Sequence, residues 1–404
     1  MQPKAPNYLQ QLCIEIPTRT VGTAGNRQAT DFFSEKLRAF GFDVETPQFD
    51  CIDWEEDGAR LEVGEAASEM VPSPYTLGGN FRGPLVAAET LEQLTKLDAR
   101  GQILLLHGEL AKEQLMPKNF VFYNPEEHQR IVRLLEEIQP AAIIAATDRD
   151  PGLAGGISPF PLIEDGDFDI PSVYTTVEVG QNLLAHLGEI VELEIRAQRT
   201  AATGCNVLAR KGNPQGARLV FMAHIDAKTN SPGAVDNGTG IVILLLLADL
   251  LKAYAGPFDI EITAVNGEDY YAASGEMLYL AQQGAEFKKI ALAINMDAAG
   301  YVDGKTAYSL YDCPAEIESA IRHIFAGHAE LIEGESWYQS DHSMFIQRQV
   351  PAMAITSEKF WHLTSHITHT PKDHPAIIDT AKLVTTAQAL YDLVLALEKH
   401  TINH

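Results

Sequence analysis

The residue types in this chain that could do chemistry cluster first in one polar stretch, where His224, Asp226 and Asp236 precede a glycine-rich turn ending at Gly240. A histidine with carboxylates and no cysteine is a donor set for zinc or a similar divalent ion. Two ions held close together need at least one shared carboxylate, and Asp236 is the candidate bridge. His224 and Asp226 lie two residues apart and point the same way in an extended chain. Asp226 is therefore expected to accept from the second ring nitrogen of His224 and fix its tautomer. Two further acidic groups recur, Gly267-Glu268-Asp269 and Asn295-Met296-Asp297. Side chains at Glu268 and Asp269 diverge, so one can bind metal while the other faces the substrate water as a general base. Singly, each of these is an ordinary loop start; it is their joint occurrence that points to a site.

Such groups need elements to position them. Apolar residues at 218–223 predict a buried strand and those at 241–251 a buried helix, which places His224 and Asp236 beyond a strand's carboxyl end and outside the core. Strands are also predicted at 258–266 and 289–296, with Glu268 and Asp297 directly after them, so that the three strand exits converge on one crevice. A short strand at 350–356 and a closing helix at 379–399 complete this part. At the other end, 26–40 has helical spacing stopped by Gly41, and 42–49 alternates like a strand. From about residue 56 the texture changes. Strands are predicted at 102–107, 141–147, 169–174 and 190–195, with a helix at 126–138 and a Gly/Pro loop at 151–161. None of these strands ends in a cluster of His, Asp and Glu, so the segment reads as a binding or covering domain.

The bulk numbers narrow the classes. A chain of 404 residues is long enough for two or three domains, and a formal net charge of -25 argues against nucleic acid or anionic membrane as a partner. Cys13, Cys51, Cys205 and Cys313 form no C-x-x-C pair, so neither a disulfide framework nor a thiolate zinc site is indicated. With no apolar leader and no apolar run long enough to span a bilayer, the expectation is a cytoplasmic protein as written, or a secreted one if a signal peptide was removed.

The runs Phe221-Met-Ala-His-Ile-Asp226, Gly233-Ala-Val-Asp-Asn-Gly-Thr-Gly240, Gly267-Glu-Asp269, Asn295-Met-Asp297, Ser340-Asp-His342 and Thr368-His-Thr-Pro371 resemble, in this order, the zinc aminopeptidase family that includes glutamate carboxypeptidases and glutaminyl cyclases. The resemblance implies an α/β fold, a three-layer α/β/α mixed-sheet zinc exopeptidase domain over 1–55 plus 197–404. The inserted, strand-rich 56–196 resembles a protease-associated domain. It further implies two Zn2+ per chain, one held by His224, Asp236 and Asp297 and the other by Asp236, Asp269 and His369, with Glu268 as general base. The Asp236-Asn237 peptide is expected to be cis. Where the family usually has a second Glu this chain has Asp269, one methylene shorter, so its loop must approach the metal more closely or that metal is held more weakly.

The implied activity is removal of N-terminal residues from peptide or aminoacyl substrates. A single-zinc glutaminyl cyclase-like acyltransferase and a carboxypeptidase or amidohydrolase stay as alternatives, while the joint presence of His224, Asp236, Glu268, Asp297 and His369 counts against a non-catalytic receptor. His362, His366 and His374 are rivals to His369, which the Thr-His-Thr-Pro setting favours. Ser340-Asp341-His342 cannot be a nucleophilic triad, because sequence neighbours do not form that geometry. Trp337 and Tyr338 are candidates to line the pocket or to donate to an oxyanion, and Tyr270 and Tyr271 stay undecided.

Overall fold

The computed structural model of the chain describes residues 4–16, 18–150, 153 and 161–401. Apart from residues 153 and 161, the Gly/Pro loop expected at 151–161 lies outside the described residues. Contacts divide the chain into two units, Met1–Cys51 with Thr203–His404, and Ile52–Ala202.

The chain opens with α1 (Lys4–Gln10) and α2 (Ala24–Ala39), followed by β1 (Asp43–Glu45). Helix α2 starts where Thr23 Oγ1 accepts from Asn26 N at 3.2 Å, satisfying one of the free first-turn amides. Beyond it Gly41, at φ +77°, turns the chain into β1.

The second unit is built on β2 (Gln48–Val63), β3 (Ala66–Pro72), β4 (Gly79–Ala88), β5 (Ile103–Leu106), β6 (Ala142–Thr147), β7 (Ser172–Thr176) and β8 (Ile190–Cys205). Helices α3 (Leu91–Lys96), α4 (Glu126–Ile138) and α5 (Val177–Leu183) fall between these strands. The strands close into a barrel in the order β2-β3-β7-β6-β5-β4-β8. Closure leaves no exposed sheet edge, and Leu61, Leu85, Leu105, Ile144, Val173 and Leu193 fill the interior. Every residue of β5 and β6 is buried, which is why both read as continuous apolar runs.

The first unit resumes with β9 (Val207–Gly212), β10 (Arg218–His224), α6 (Thr239–Leu250), β11 (Asp259–Val265), α7 (Ser274–Gln283) and β12 (Ile290–Met296). It continues through β13 (Thr306–Tyr311), α8 (Ala315–Phe325), β14 (Leu331–Glu333), α9 (Ser343–Ile346), β15 (Ala352–Ser357), α10 (Phe360–His366) and α11 (Thr380–Thr401). The sheet runs β1-β9-β11-β10-β12-β15-β13-β14. Its centre, β11, β10, β12 and β15, is parallel, and antiparallel pairs flank it on both sides. On β11, Ile260, Ile262 and Ala264 join the core shared with α6, α8 and α11. The alternate Glu261 faces the opposite way, where Tyr279 of α7 donates to it at 2.8 Å. Helices therefore cover both faces of a mixed sheet, giving three layers.

Helix α6 corrects one expectation. Ala234–Ala253 is long and apolar enough to cross a membrane by length and composition, with mean hydropathy 1.8, although 89% of that window is buried inside the protein. Residues 239–248 are all buried, so the helix is apolar all round because it has sheet on one side and helices on the other. Fully burying one such Leu or Ile is worth about 1.5–3 kcal/mol.

Register brings the strand ends together. His224 pairs with Val265, Met222 with Asn295 and Met296 with Ile355, so the residues leaving β11 and β12 emerge on either side of His224.

Candidate metal centre

His224 ends β10 and is 1% exposed, and Asp236 is 9% exposed. Both lie inside the protein at the sheet's carboxyl edge rather than outside the core, as their place beyond a strand had suggested. His224 Nε2 is 3.1 Å from Asp236 Oδ1 and 3.9 Å from Asp297 Oδ1. On the far side of the same carboxylate, His369 Nε2 lies 3.2 Å from Asp236 Oδ2 and 2.9 Å from Asp269 Oδ1. The structure thus brings together two overlapping groups, His224, Asp236 and Asp297, and Asp236, Asp269 and His369, with the ligand atoms of each within 4.8 Å of one another. Asp236 belongs to both, one oxygen toward each histidine. Despite its shorter side chain, Asp269 reaches His369.

Local chemistry explains how each residue is delivered. The Asp236-Asn237 peptide is cis. Asn237 Nδ2 donates to Met296 O at 2.8 Å and its Oδ1 accepts from Gly240 N at 3.1 Å, tying the loop to the end of β12 just before Asp297. A Cβ at Gly240 would come 2.6 Å from Met296 O, so only glycine lets α6 start this close. Asp297 N donates to Ile355 O at 2.9 Å. The turn after β11 is held by buried amides. Asn266 and Asn26 exchange side-chain hydrogen bonds at 2.8 and 2.9 Å, and Asn266 N donates to Asn206 Oδ1 at 3.0 Å.

Asp226 has other partners than expected. Its Oδ1 is 3.6 Å from His224 Nδ1, beyond hydrogen-bond range, and it accepts instead from Gly267 N at 2.7 Å, while Oδ2 accepts from Asp269 N at 3.0 Å. Asp226 is the clamp of the turn that carries Glu268. Two backbone donors on a carboxylate outcompete one ring N–H because they satisfy both oxygens at once.

The donor set fits a divalent cation. Neither ring nitrogen of His224 makes a hydrogen bond of sound geometry, although carboxylates lie close to both, and Asp269 Oδ2 is buried without a partner. Imidazole nitrogens and carboxylate oxygens without thiolate suit zinc. The electrostatics lack the same thing, a positive charge. Burial would raise the Asp236 carboxyl, but the His224 and His369 rings pull it well below the usual range. Burial would lower both histidines, yet Asp226, Asp236 and Asp297 hold His224 far above its ordinary value, as Asp269 and Asp236 do for His369. Glu268 is half-buried. Loss of water pushes its carboxyl well up; His224 opposes this, while Asp269, Asp297 and Asp341 add to it.

The remaining candidates separate. Asp341 is fully buried, and burial first, then Asp297 and Asp226, push it up to about 7 against the pull of His224. Its neighbour is the buried Glu276, and two facing carboxyls are satisfied only when they share a proton. His342 donates through Nε2 to Trp337 O at 2.8 Å and is held neutral, burial lowering it to about 4. It supports Trp337 and joins neither group. Trp337 is buried and, with Thr356, Glu358, Phe360 and Trp361, lines a cavity of about 290 Å³. Tyr338 is 59% exposed, and Tyr270 and Tyr271 are buried with ring centroids 4.5 Å apart. His362 and His366 stack on one another on α10, and His374 Nδ1 accepts from Ala376 N. Sequence reasoning missed Arg19, Asp373 and the Asn26, Asn206 and Asn266 amides; only Asn266 and Asp373 stand near a ligand run, and Arg19, Asn26 and Asn206 carry no such signal.

Comparison with known proteins sets this geometry in a class. Residues 206–394, the span that holds His224, Asp236, Glu268, Asp269, Asp297 and His369, match the model of peptidase family M28. The probable lipoprotein aminopeptidase LpqL of Mycobacterium tuberculosis is 27% identical over 285 residues, which cover 69% of this chain and 54% of that protein. The chain thus spans about half the length of that relative. Among solved structures, the aminopeptidase from Aneurinibacillus sp. strain AM-1 superposes with TM-score 0.74 at 20% identity, covering 98% of this chain and 93% of the other. The zinc aminopeptidase BSAP from Bacillus subtilis gives TM-score 0.73 at 19% identity, with coverages of 97% and 94%.

Proposed function

We propose that this chain is a zinc-dependent aminopeptidase that binds two ions through one shared carboxylate. The observation that carries this reading is Asp236, with one oxygen facing His224 and the other facing His369, beside the half-buried Glu268. His224, Asp236 and Asp297 would hold one ion, and Asp236, Asp269 and His369 the other. The match of residues 206–394 to peptidase family M28 and the similarity to a probable lipoprotein aminopeptidase support the same reading.

When bound, the ions would supply Lewis acidity, polarising a peptide carbonyl and making water a better acid. Glu268 takes the proton from the attacking water, aided by burial, which raises its carboxyl's affinity for a proton. The water oxygen bonds to the carbonyl carbon, the C–N bond breaks, and Glu268 returns its proton to the leaving nitrogen. One carboxylate thus serves as base and then as acid. Asp226 keeps it in place by clamping the flanking amides of Gly267 and Asp269. The substrate's free ammonium group is drawn to a centre built from carboxylates.

The test is hydrolysis of a panel of aminoacyl amides and their N-blocked counterparts, with and without chelator. The expected result is cleavage of the unblocked set, lost on chelation and restored by zinc. Cleavage of blocked substrates alone would sink the aminopeptidase reading, and indifference to chelator would sink the metal.

A further inference from the structure

One buried cation close to this centre takes no part in the chemistry above. Arg19 is 1% exposed and comes from the segment before α2. Its Nε donates to Ile225 O at 3.0 Å, Nη1 to Pro232 O at 2.9 Å and Leu12 O at 2.8 Å, and Nη2 to Gly233 O at 2.7 Å. The Cys13 sulfur lies 3.7 Å from Nη1. Three of the four oxygens belong to the loop joining His224 to Asp236. Gly233 sits at φ +58°, and a Cβ there would fall 2.7 Å from Arg19 Nη2, so the loop is pressed against the guanidinium.

The opposite edge of the loop is held by Asp373. Its Oδ1 accepts from Val235 N at 2.6 Å, its Oδ2 from Asp236 N at 3.0 Å, and its carbonyl from Ala234 N at 3.3 Å. Five successive residues are thereby divided between two residues. Arg19 takes the carbonyls of 232 and 233, and Asp373 takes the amides of 234, 235 and 236. No carboxylate forms an ion pair with Arg19 among the described residues, although burying a guanidinium is costly. A planar fork suits several carbonyls in a fixed array, where a lysine ammonium offers only a point charge.

We propose that Arg19 and Asp373 are positioning residues that hold the 225–236 loop in its ligand-bearing shape before any ion arrives. Metal affinity is then set partly by the first twenty residues of the chain. This rests on the metal-centre reading above, so the test has one arm that does not depend on it.

In that arm, amide hydrogen exchange is followed on the metal-free wild-type chain. The expected result is slow exchange at residues 234–236 without zinc; free exchange that slows only when zinc is added would overturn the proposal. In the second arm, zinc affinity is measured by chelator competition for wild type, Arg19→Lys and Arg218→Lys. Arg218 is a buried arginine at the opposite end of β10, paired with Asp259 at 2.8 Å. Arg19→Lys is expected to exchange faster at 234–236 and to bind zinc about ten- to a hundredfold more weakly, the usual effect of removing an outer support. Arg218→Lys is expected to lower the melting temperature with zinc affinity unchanged. Wild-type affinity in Arg19→Lys, or an equal loss in both variants, would reduce Arg19 to general stabilisation and overturn the proposal. Should Arg19→Lys not fold, the exchange arm decides. A wild-type chain that binds no zinc refutes the metal centre while leaving the exchange arm to judge the brace.

Discussion

Replacing Asp226 with Asn keeps the size of the side chain and removes one of its two acceptors. In the native protein both carboxylate oxygens take backbone protons, from Gly267 at 2.7 Å and Asp269 at 3.0 Å. The amide can accept one of these and must point its own N–H at the other, leaving a buried donor unpaired. Hydrogen bonds to a charged group are worth about 1.5–3 kcal/mol, so the turn bearing Glu268 should loosen by about that amount. If the whole of it is felt in the transition state, kcat/KM falls about 10- to 150-fold, since about 1.4 kcal/mol is a factor of ten. The assay is kcat/KM on an aminoacyl anilide, with hydrogen exchange at Gly267 and Asp269 and zinc affinity measured alongside. Expected are lower activity, faster exchange at these amides and nearly unchanged zinc affinity. Protected amides combined with weaker zinc binding would mean that Asp226 acts on His224 at 3.6 Å after all, and would refute the reasoning.

Three further outcomes are expected. Glu268→Gln should lower kcat by about 10²- to 10⁴-fold, the usual weight of a general base, at unchanged metal content by elemental analysis; loss of metal would mean that Glu268 and Asp269 have exchanged roles. His369→Ala should reduce bound zinc from two ions per chain to one, and two ions retained would remove His369 from the ligand set. Burial holds the Cys13 thiol up at about 11 in the folded chain, against an ordinary 9.0. Because the folded value is the higher one, this stability is intact below pH 9 and lost as pH rises through 11, about 2.7 kcal/mol in all. Urea unfolding across that window should show the slope in wild type and a flatter one in Cys13→Ala.

The parallel centre of the sheet was legible because β10 and β12 are buried on both faces and read as apolar runs, while β11 alternates Ile260, Ile262 and Ala264 with polar residues, each strand having a polar group at its exit. That alone places His224, the 267–269 turn and Asp297 along one edge. Strand β13 and the edge strand β14 were not legible. Thr306–Tyr311 mixes Thr, Ser and Tyr with apolar residues, and Leu331–Glu333 is too short to show a period. Strands β2 and β8 each run through a point where the units divide, so the change of texture near residue 56 falls inside β2, a few residues past the division itself. Asp226 was read from side-chain alternation toward His224, but a carboxylate's partners depend on how a loop elsewhere presents its amides. Arg19 and Asp373 stand in sequence as ordinary charged residues, since a sequence does not display burial.

Helix α6 has a consequence for how the chain is made. It packs against α11, whose residues leave the ribosome long after those of α6, and synthesis delivers N-terminal segments first. For that interval a twenty-residue segment apolar enough for a bilayer waits without its cover. The nascent chain should engage chaperones then, and fragments ending before Thr380 should aggregate or adhere to membranes, however complete their metal ligands.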